Sequence, residues 1–324
     1  MNLAVTTVRR RPWALAAAVA VVVFAPMAQA AEPLVWKFEP GLTNHYQMVQ
    51  KMDMSMNLGA GGETSSSMVQ TIDMSWTVEE VQDDDSAVLK QKIDRMRMKM
   101  TMPGDQGGSE FDSAAEKPPE GHAAMLAPLL KAMTADAFIV HMTPRGEITE
   151  VEVPEGMAKA LEGMPGAALM GDMATPEGFK KMITQAAFTL PEKLEPGTEW
   201  SSKLEIKNPV TGPQVAETTY RYEGPKEVDG ATMEVFTPSL NMTFGEGGAA
   251  KVEVSEQDSS GEILFNRDKG RLESSHMKQT MTMNIGAEGE GGVTMKMDQT
   301  IDMKWMPEEA TDEKRDEATS PEEK

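Results

Sequence analysis

The chain contains no cysteine. That excludes disulfides, thiolate metal sites, thiol nucleophiles and a lipidated N-terminal cysteine. Histidine is nearly absent too: the 4 residues are scattered singly. Basic residues number 31 against 52 acidic ones, a formal net charge of −21. Such a field makes nucleic acid and anionic membrane surfaces poor partners, and no nucleic acid is expected. No G-x-S-x-G, P-loop, H-E-x-x-H or C-x-x-C motif is present, so no catalytic residue and no cofactor are assigned and a non-enzymatic role is expected. Asp83-Asp84-Asp85, followed by Ser86, reads as a solvated turn and not a calcium loop.

Long apolar runs are missing from all but the first thirty residues. There, Arg9, Arg10 and Arg11 precede an apolar run from Trp13 to Phe24, and Ala28-Gln29-Ala30 is a small-x-small cleavage site. This is the pattern of a Sec-type signal peptide, 1–30, cut after Ala30. It predicts a periplasmic or secreted protein with no stable membrane insertion afterwards. Removing three arginines and no acid would take the charge from −21 to −24.

What the sequence has instead is alternation. Met48, Gln50, Met52, Met54, Met56 and Leu58 share one parity, and Val49, Lys51, Asp53, Ser55 and Asn57 the other. After the Gly-rich stretch 59–67, Met68, Ile72, Met74, Trp76 and Val78 alternate with Thr71, Asp73, Ser75 and Thr77. Period two with one dry face predicts a β-hairpin. The chain's end repeats it. QTIDMSW from Gln70 returns as QTIDMKW from Gln299, offset 229, and MSMNLGAGG from Met54 returns as MTMNIGAEG from Met281, offset 227. The hairpin at 48–78 is thus duplicated at 277–306, with the two-residue difference expected in the loop and the copies expected on opposite sides of one core.

Further strands are expected within 87–102 (with a bulge between Ile93 and Met96, where the apolar parity slips), 138–153, 200–206, 217–222, 232–236, 251–256 and 262–266. Helices are expected at 122–133, 155–162 and 176–188, the last with Thr175 as N-cap and Pro176 at its first position. Residues 103–121, with Phe111 as their one large apolar residue, and the acidic tail 307–324 are expected to be disordered. The fold class is mainly β (α+β): one strongly curved antiparallel sheet, a half-barrel or barrel with two or three helices, over residues 31–306.

The 29 methionines cluster on strands as M-x-M. Three readings stand side by side. They are core; or they line an adaptable apolar cavity, since Met is unbranched and polarizable; or their thioethers bind Cu(I). No histidine shares a strand face with them, so a mixed His/Met site is not read. The candidate cavity lining is Met52, Met54, Met74, Trp76, Met96, Met98, Met281, Met283, Met297, Met303 and Trp305. Gln70 and Gln299 join it on the same parity, as do Gln50 and Gln279. Amides on an apolar face either bond one another or the backbone, or orient a ligand headgroup.

Several stretches carry a resemblance: VWKFEPGLTNHYQMVQ, the EFDS stretch, FIVHMTPRGEITEVE, LPEKLEPGTEW and GEILFNRDKGRLESSHMKQTMTM. On these the chain resembles an uncharacterised family of exported, planctomycete-type bacterial proteins of unknown function. More distantly its layout is similar to the half-barrel of lipoprotein carriers, which curl an antiparallel sheet around helices and hold acyl chains in the hollow. That resemblance implies a hydrophobic, lipid-like small molecule as partner. A packed structural or interaction protein without a ligand is the alternative, and Met-based Cu(I) binding the third.

Overall fold

The computed structural model describes residues 33–103, 108–117, 119–163, 171–286 and 292–308. The expected signal segment, and the tail beyond residue 308, lie outside the described residues. The strands are β1 (Thr43–Asn57), β2 (Glu63–Val81), β3 (Ala87–Thr101), β4 (Ser109–Asp112), β5 (Phe138–Met142) and β6 (Ile148–Glu152), followed by β7 (Glu199–Asn208), β8 (Gly212–Val228), β9 (Ala231–Phe244), β10 (Lys251–Asn266), β11 (Arg271–Gly286) and β12 (Val293–Met306). Three α-helices are described: α1 (His122–Ala135), α2 (Glu155–Glu162) and α3 (Pro176–Gln185). Thr175 caps α3 by accepting from the Gly178 N–H at 3.0 Å, as the sequence pattern predicts.

All twelve strands form one open antiparallel sheet in the order β6-β5-β3-β2-β1-β12-β11-β10-β9-β8-β7, with β4 added to β3. The first and last strands therefore pair at its centre. This removes two edges that would otherwise stand open. It also corrects one expectation: the duplicated hairpins sit side by side and not on opposite sides of a core. Their order, β2-β1-β12-β11, repeats second strand, first strand, so the copies are related by a shift of two strands, about 10 Å, and show the same side chains to the same face. Gln50 faces Gln70, and Gln279 faces Gln299. Cross-strand register thus makes the equivalence 229 on both strands. The 227 match of the first strand is the same M-x-M pattern displaced by one pleat.

The bulge read between Ile93 and Met96 is present: Asp73 pairs with Arg95 and Met74 with Ile93, leaving Asp94 extra. The expected disorder of 103–121 is corrected over β4. Phe111, 3% exposed, pairs with Met98. The Asp112 carboxylate accepts from Arg95 Nε at 3.1 Å and Nη2 at 2.7 Å. One buried aromatic and a forked ion pair hold a short strand that composition alone left unanchored. Strands β8 and β9 run longer than expected and meet in a two-residue turn, Asp229-Gly230, both at positive φ (52° and 80°). β10 is one strand where two were expected, kinked by a bulge at Val254/Glu256.

The core is continuous across the sheet's two flanks. Val140 and Val151 on one flank, Tyr220 and Tyr222 on the other, and Trp36, Phe236, Phe265 and Leu190 between them form one buried cluster. The segment after α3 draws the flanks together. Leu190 N–H donates to the Arg145 carbonyl at 2.7 Å, and Arg145 Nε donates back to the Leu190 carbonyl at 2.9 Å. On the other flank Phe188 packs edge-on against Tyr220 and Phe236, 5.3 and 5.2 Å between ring centres.

The sheet opens between β9 and β10. They pair only over Met233–Phe236 and Ile263–Asn266. Beyond, buried Pro238 has no N–H to give, and its ring stands against Gly261. Side chains replace the ladder past that point. Ser259 Oγ accepts from Leu240 N–H at 2.7 Å and donates to the Leu240 carbonyl at 2.9 Å, and Gln257 Oε1 accepts from Met242 N–H at 2.9 Å. A Cβ at position 261 would meet Pro238 Cγ at 2.8 Å and run into the His276 carbonyl oxygen. Gly261→Ala is therefore expected to lower unfolding free energy by about 1–3 kcal/mol, the usual range for overpacking. Urea unfolding checks it; an unchanged midpoint would show that the seam yields freely.

Candidate functional site

The pleat sends alternate side chains of the central strands to one inner face. Register then stacks methionines across strands. Met54 faces Met297, which faces Met281; Met56 faces Met295, which faces Met283. One rung on, Met52 faces Met68, which faces Met100. Facing residues on adjacent strands put Cβ atoms about 5 Å apart, so these side chains form one thioether surface. The lysines of the same strands, Lys51, Lys278, Lys296 and Lys304, are exposed and have the opposite parity.

The candidate lining divides into three groups. Met96 and Met98 are buried under α1, with Phe111, Ala123, Ala127 and Leu130 on them. Met74, Trp76, Met303 and Trp305 pack against the large core. Trp76 lies 5.0 Å from the Tyr46 ring and 6.4 Å from Trp36, and the Arg271 guanidinium stands 3.5 Å over the Trp305 ring. These tryptophans therefore help fill the aromatic end of the fold. Met52, Met54, Met297, Gln70 and Gln299 are half-buried, while Met281 and Met283 are 3% and 7% exposed. Of the candidates, only Met54 lines one of the described hollows, a groove of about 430 Å³ shared with Ser65 to Ser67, Lys296 and Asp298. A second groove, about 460 Å³, follows the β9–β10 opening along Met242 to Phe244 and Val252 to Gln257.

The helices pack chiefly on β3, β4, β6 and β7. Among the described residues no helix lies principally on β1, β12, β11 or β10. α1 is apolar on both sides: Ala123, Ala127 and Leu130 are buried, yet Met125 is 59% exposed. Sequence reasoning missed α1 and Phe111 as the cover over β3. It also missed the half-buried Leu240, Met242, Val252 and Val254, because a bulge and a proline interrupt their period.

The four glutamines stand in two facing pairs. Gln70 Nε2 reaches the Met96 sulfur at 3.6 Å. Gln279 is 4% exposed, and its Nε2 has no hydrogen-bond partner. A buried donor left unmet costs about 1–3 kcal/mol. His276 is on the outer face, its Nδ1 2.6 Å from Asp302. Among the described residues no three His, Asp or Glu side chains converge on a metal position.

Charge is buried at two further places: Asp73, paired with Arg97 at 3.0 Å, and Glu234. Glu234, 1% exposed, accepts from the Tyr222 hydroxyl and is paired with Arg267. Asp112 is held below the usual carboxylate range, first by its hydrogen bond from Arg95. The chain's 3 tyrosines are all shifted upward. Burial raises Tyr222 to about 12, helped by the hydrogen bond to Glu234; burial also raises Tyr220 and Tyr46.

The geometry stands beside three comparisons. The chain belongs to the family of unknown function DUF6263, whose model matches residues 84–304; β1 and β2 lie outside the matched span. No curated protein matches. Among solved structures, one titled for lipid–protein interactions in lipovitellin is 12% identical at TM-score 0.45, covering 84% of this chain and 26% of that one. DynF from the dynemicin biosynthesis pathway of Micromonospora chersina is 8% identical at TM-score 0.22, covering 87% and 90%. An outer membrane channel from Pseudomonas putida F1 is 7% identical at TM-score 0.24, covering 84% and 98%. At these scores the likenesses carry no functional argument. No described helix is long and apolar enough to cross a membrane.

The tyrosines give a direct test of the fold's electrostatics. Their folded pKa values lie above the ordinary value of 10. The folded chain therefore holds protons that the unfolded chain has released, and stability is unaffected by them below pH 10 and falls as pH rises through about 10 to 12. Tyrosinate absorbance is expected to rise only together with loss of the β signal in circular dichroism. Ionisation near pH 10 with the sheet intact would contradict it.

Proposed function

We propose that the protein is a non-enzymatic binder or carrier of a hydrophobic, lipid-like molecule, acting in the cell envelope after export. One observation carries the reading. The half-buried methionines of β1 and β12 (Met52, Met54, Met56, Met295 and Met297), continued by the buried Met281 and Met283 of β11, form an apolar surface that no described helix principally covers. A soluble sheet needs one face covered, and its other face here is charged. Methionine suits such a surface better than Val or Ile would, because its flexible, polarizable chain can re-pack around ligands of different shape. The magnitudes are adequate. Burial contributes about 0.8 kcal/mol per methylene, so ten methylenes give about 8 kcal/mol, micromolar affinity before the cost of immobilising the chain.

The test uses N-phenyl-1-naphthylamine, which fluoresces when it leaves water. Saturable enhancement is expected with the mature chain, weakened at least tenfold by the double change Met54→Glu and Met297→Glu. Enhancement that never saturates, or that survives the charges, would sink the reading. Three facing thioethers also favour a second reading, a soft monovalent cation held by Met54, Met297 and Met281. Native mass spectrometry with Cu(I) separates the two: a retained copper mass lost in Met297→Leu supports the metal, and a bare chain excludes it.

A further inference from the structure

Gln279 is the one candidate residue whose chemistry is unfinished. It sits midway along β11, with Met277 and Met281 two residues away on the same face of the strand. Directly across lie Gln299 on β12 and Ser259 on β10. Ser259 is already committed to β9, where its hydroxyl accepts from the Leu240 N–H, donates to the Leu240 carbonyl and lies 3.4 Å from the Ser239 hydroxyl. Gln279 Nε2 is left buried, on the inner face, without an acceptor. Native interiors rarely leave a donor so, and the exceptions ask for a ligand or a bridging group.

We propose that Gln279 anchors the ligand of the inner face, and that this ligand carries a neutral acceptor oxygen (an ester, amide or ketone carbonyl) beside its apolar chain. The inference rests on the hydrophobe-binding reading above. An amide N–H is a neutral donor, and it suits a neutral acceptor. A free carboxylate would be a poor fit on two counts. The lysines of β1, β11 and β12 occupy the opposite parity and are exposed, so none on these strands stands beside Gln279 to offset a buried charge. The whole chain is also strongly acidic, at −21, and repels anions. The acceptor oxygen takes the Nε2 hydrogen while the chain lies over Met281, Met297 and Met54. An acyl ester or acyl amide fits this pattern; a free fatty acid does not.

The experiment is displacement of bound N-phenyl-1-naphthylamine by three probes of matched length: methyl oleate, oleate and 1-octadecene. It compares wild type with Gln279→Met, which keeps size and apolar surface but removes the donor. Methyl oleate is expected to displace the dye from wild type at roughly tenfold lower concentration than either other probe, about the worth of one hydrogen bond in a dry site. Gln279→Met is expected to keep dye binding and erase the advantage. Its melting temperature is expected to stay level or rise, because an unmet buried donor has been removed. Dye binding without any methyl oleate preference, or a preference that persists in Gln279→Met, overturns the Gln279 assignment and leaves the hydrophobe reading standing. A marked fall in melting temperature for Gln279→Met also overturns it, since the amide would then be held by the protein itself. Absence of saturable dye binding in wild type overturns the hydrophobe reading as well.

Discussion

The structure depends on the pleat's segregation of charge from thioether. On β1, β11 and β12, lysines, aspartates and threonines hold one parity while every methionine but the terminal Met306 holds the other. A strand so built is stable in water only when its dry face is covered. At one end of the sheet the cover is complete: Trp36, Tyr46, Trp76, Phe236 and Phe265 meet there, drawn together by the segment around Leu190. Over β2 and β3, α1 and Phe111 supply it. Between these covered regions the central strands present methionine, and the demand for a cover becomes a candidate for function.

The opening between β9 and β10 follows from the same logic of satisfied groups. Pro238 interrupts the ladder because it has no N–H, and Gly261 lets its ring approach. Two freed backbone positions, Leu240 and Met242, then find Ser259 and Gln257. The ladder is replaced by side chains and not abandoned, so the strands can diverge without leaving those groups unmet. Each bridging side chain comes from the inner face of β10, and Ser259, directly across from Gln279, turns its hydroxyl to Leu240 and Ser239 of β9 instead. The opening and the unfinished amide are thus linked through one hydroxyl.

Much of this was legible in the residues. Strict period-two alternation predicted the curved antiparallel sheet, and the QTIDM words predicted the duplicated hairpin. Thr175-Pro176 predicted the start of α3, and the parity slip near Ile93 predicted the bulge at Asp94. What failed was long-range. No local pattern says that β1 will pair with β12, because a hairpin's sequence determines its own turn and not its neighbour. β4 was invisible because four residues are too few to show a period; its pairing with β3, the burial of Phe111 and the forked Arg95–Asp112 pair hold it. The candidate lining was read by parity alone, which names a face but not a depth along it. Hence Trp76 and Trp305 were grouped with Met54, although they stand at the aromatic end of the neighbouring strands β2 and β12.

Depth along the strand is what separates the packed rungs from the rungs proposed to bind. Rungs that contain aromatics are filled, since a ring and its neighbours leave little that can rearrange. The two rungs that are all methionine across β1, β12 and β11, Met54–Met297–Met281 and Met56–Met295–Met283, keep rotatable side chains on both sides of those contacts. Gln279 stands one rung away, in line with Gln299 and Met52, and between Met277 and Met281 on its own strand. A purely structural apolar layer would place no unmatched amide there, because an apolar residue of the same size would be at least as stable. The buried glutamine and the soft rungs around it are consistent with a surface shaped for a molecule that brings its own oxygen.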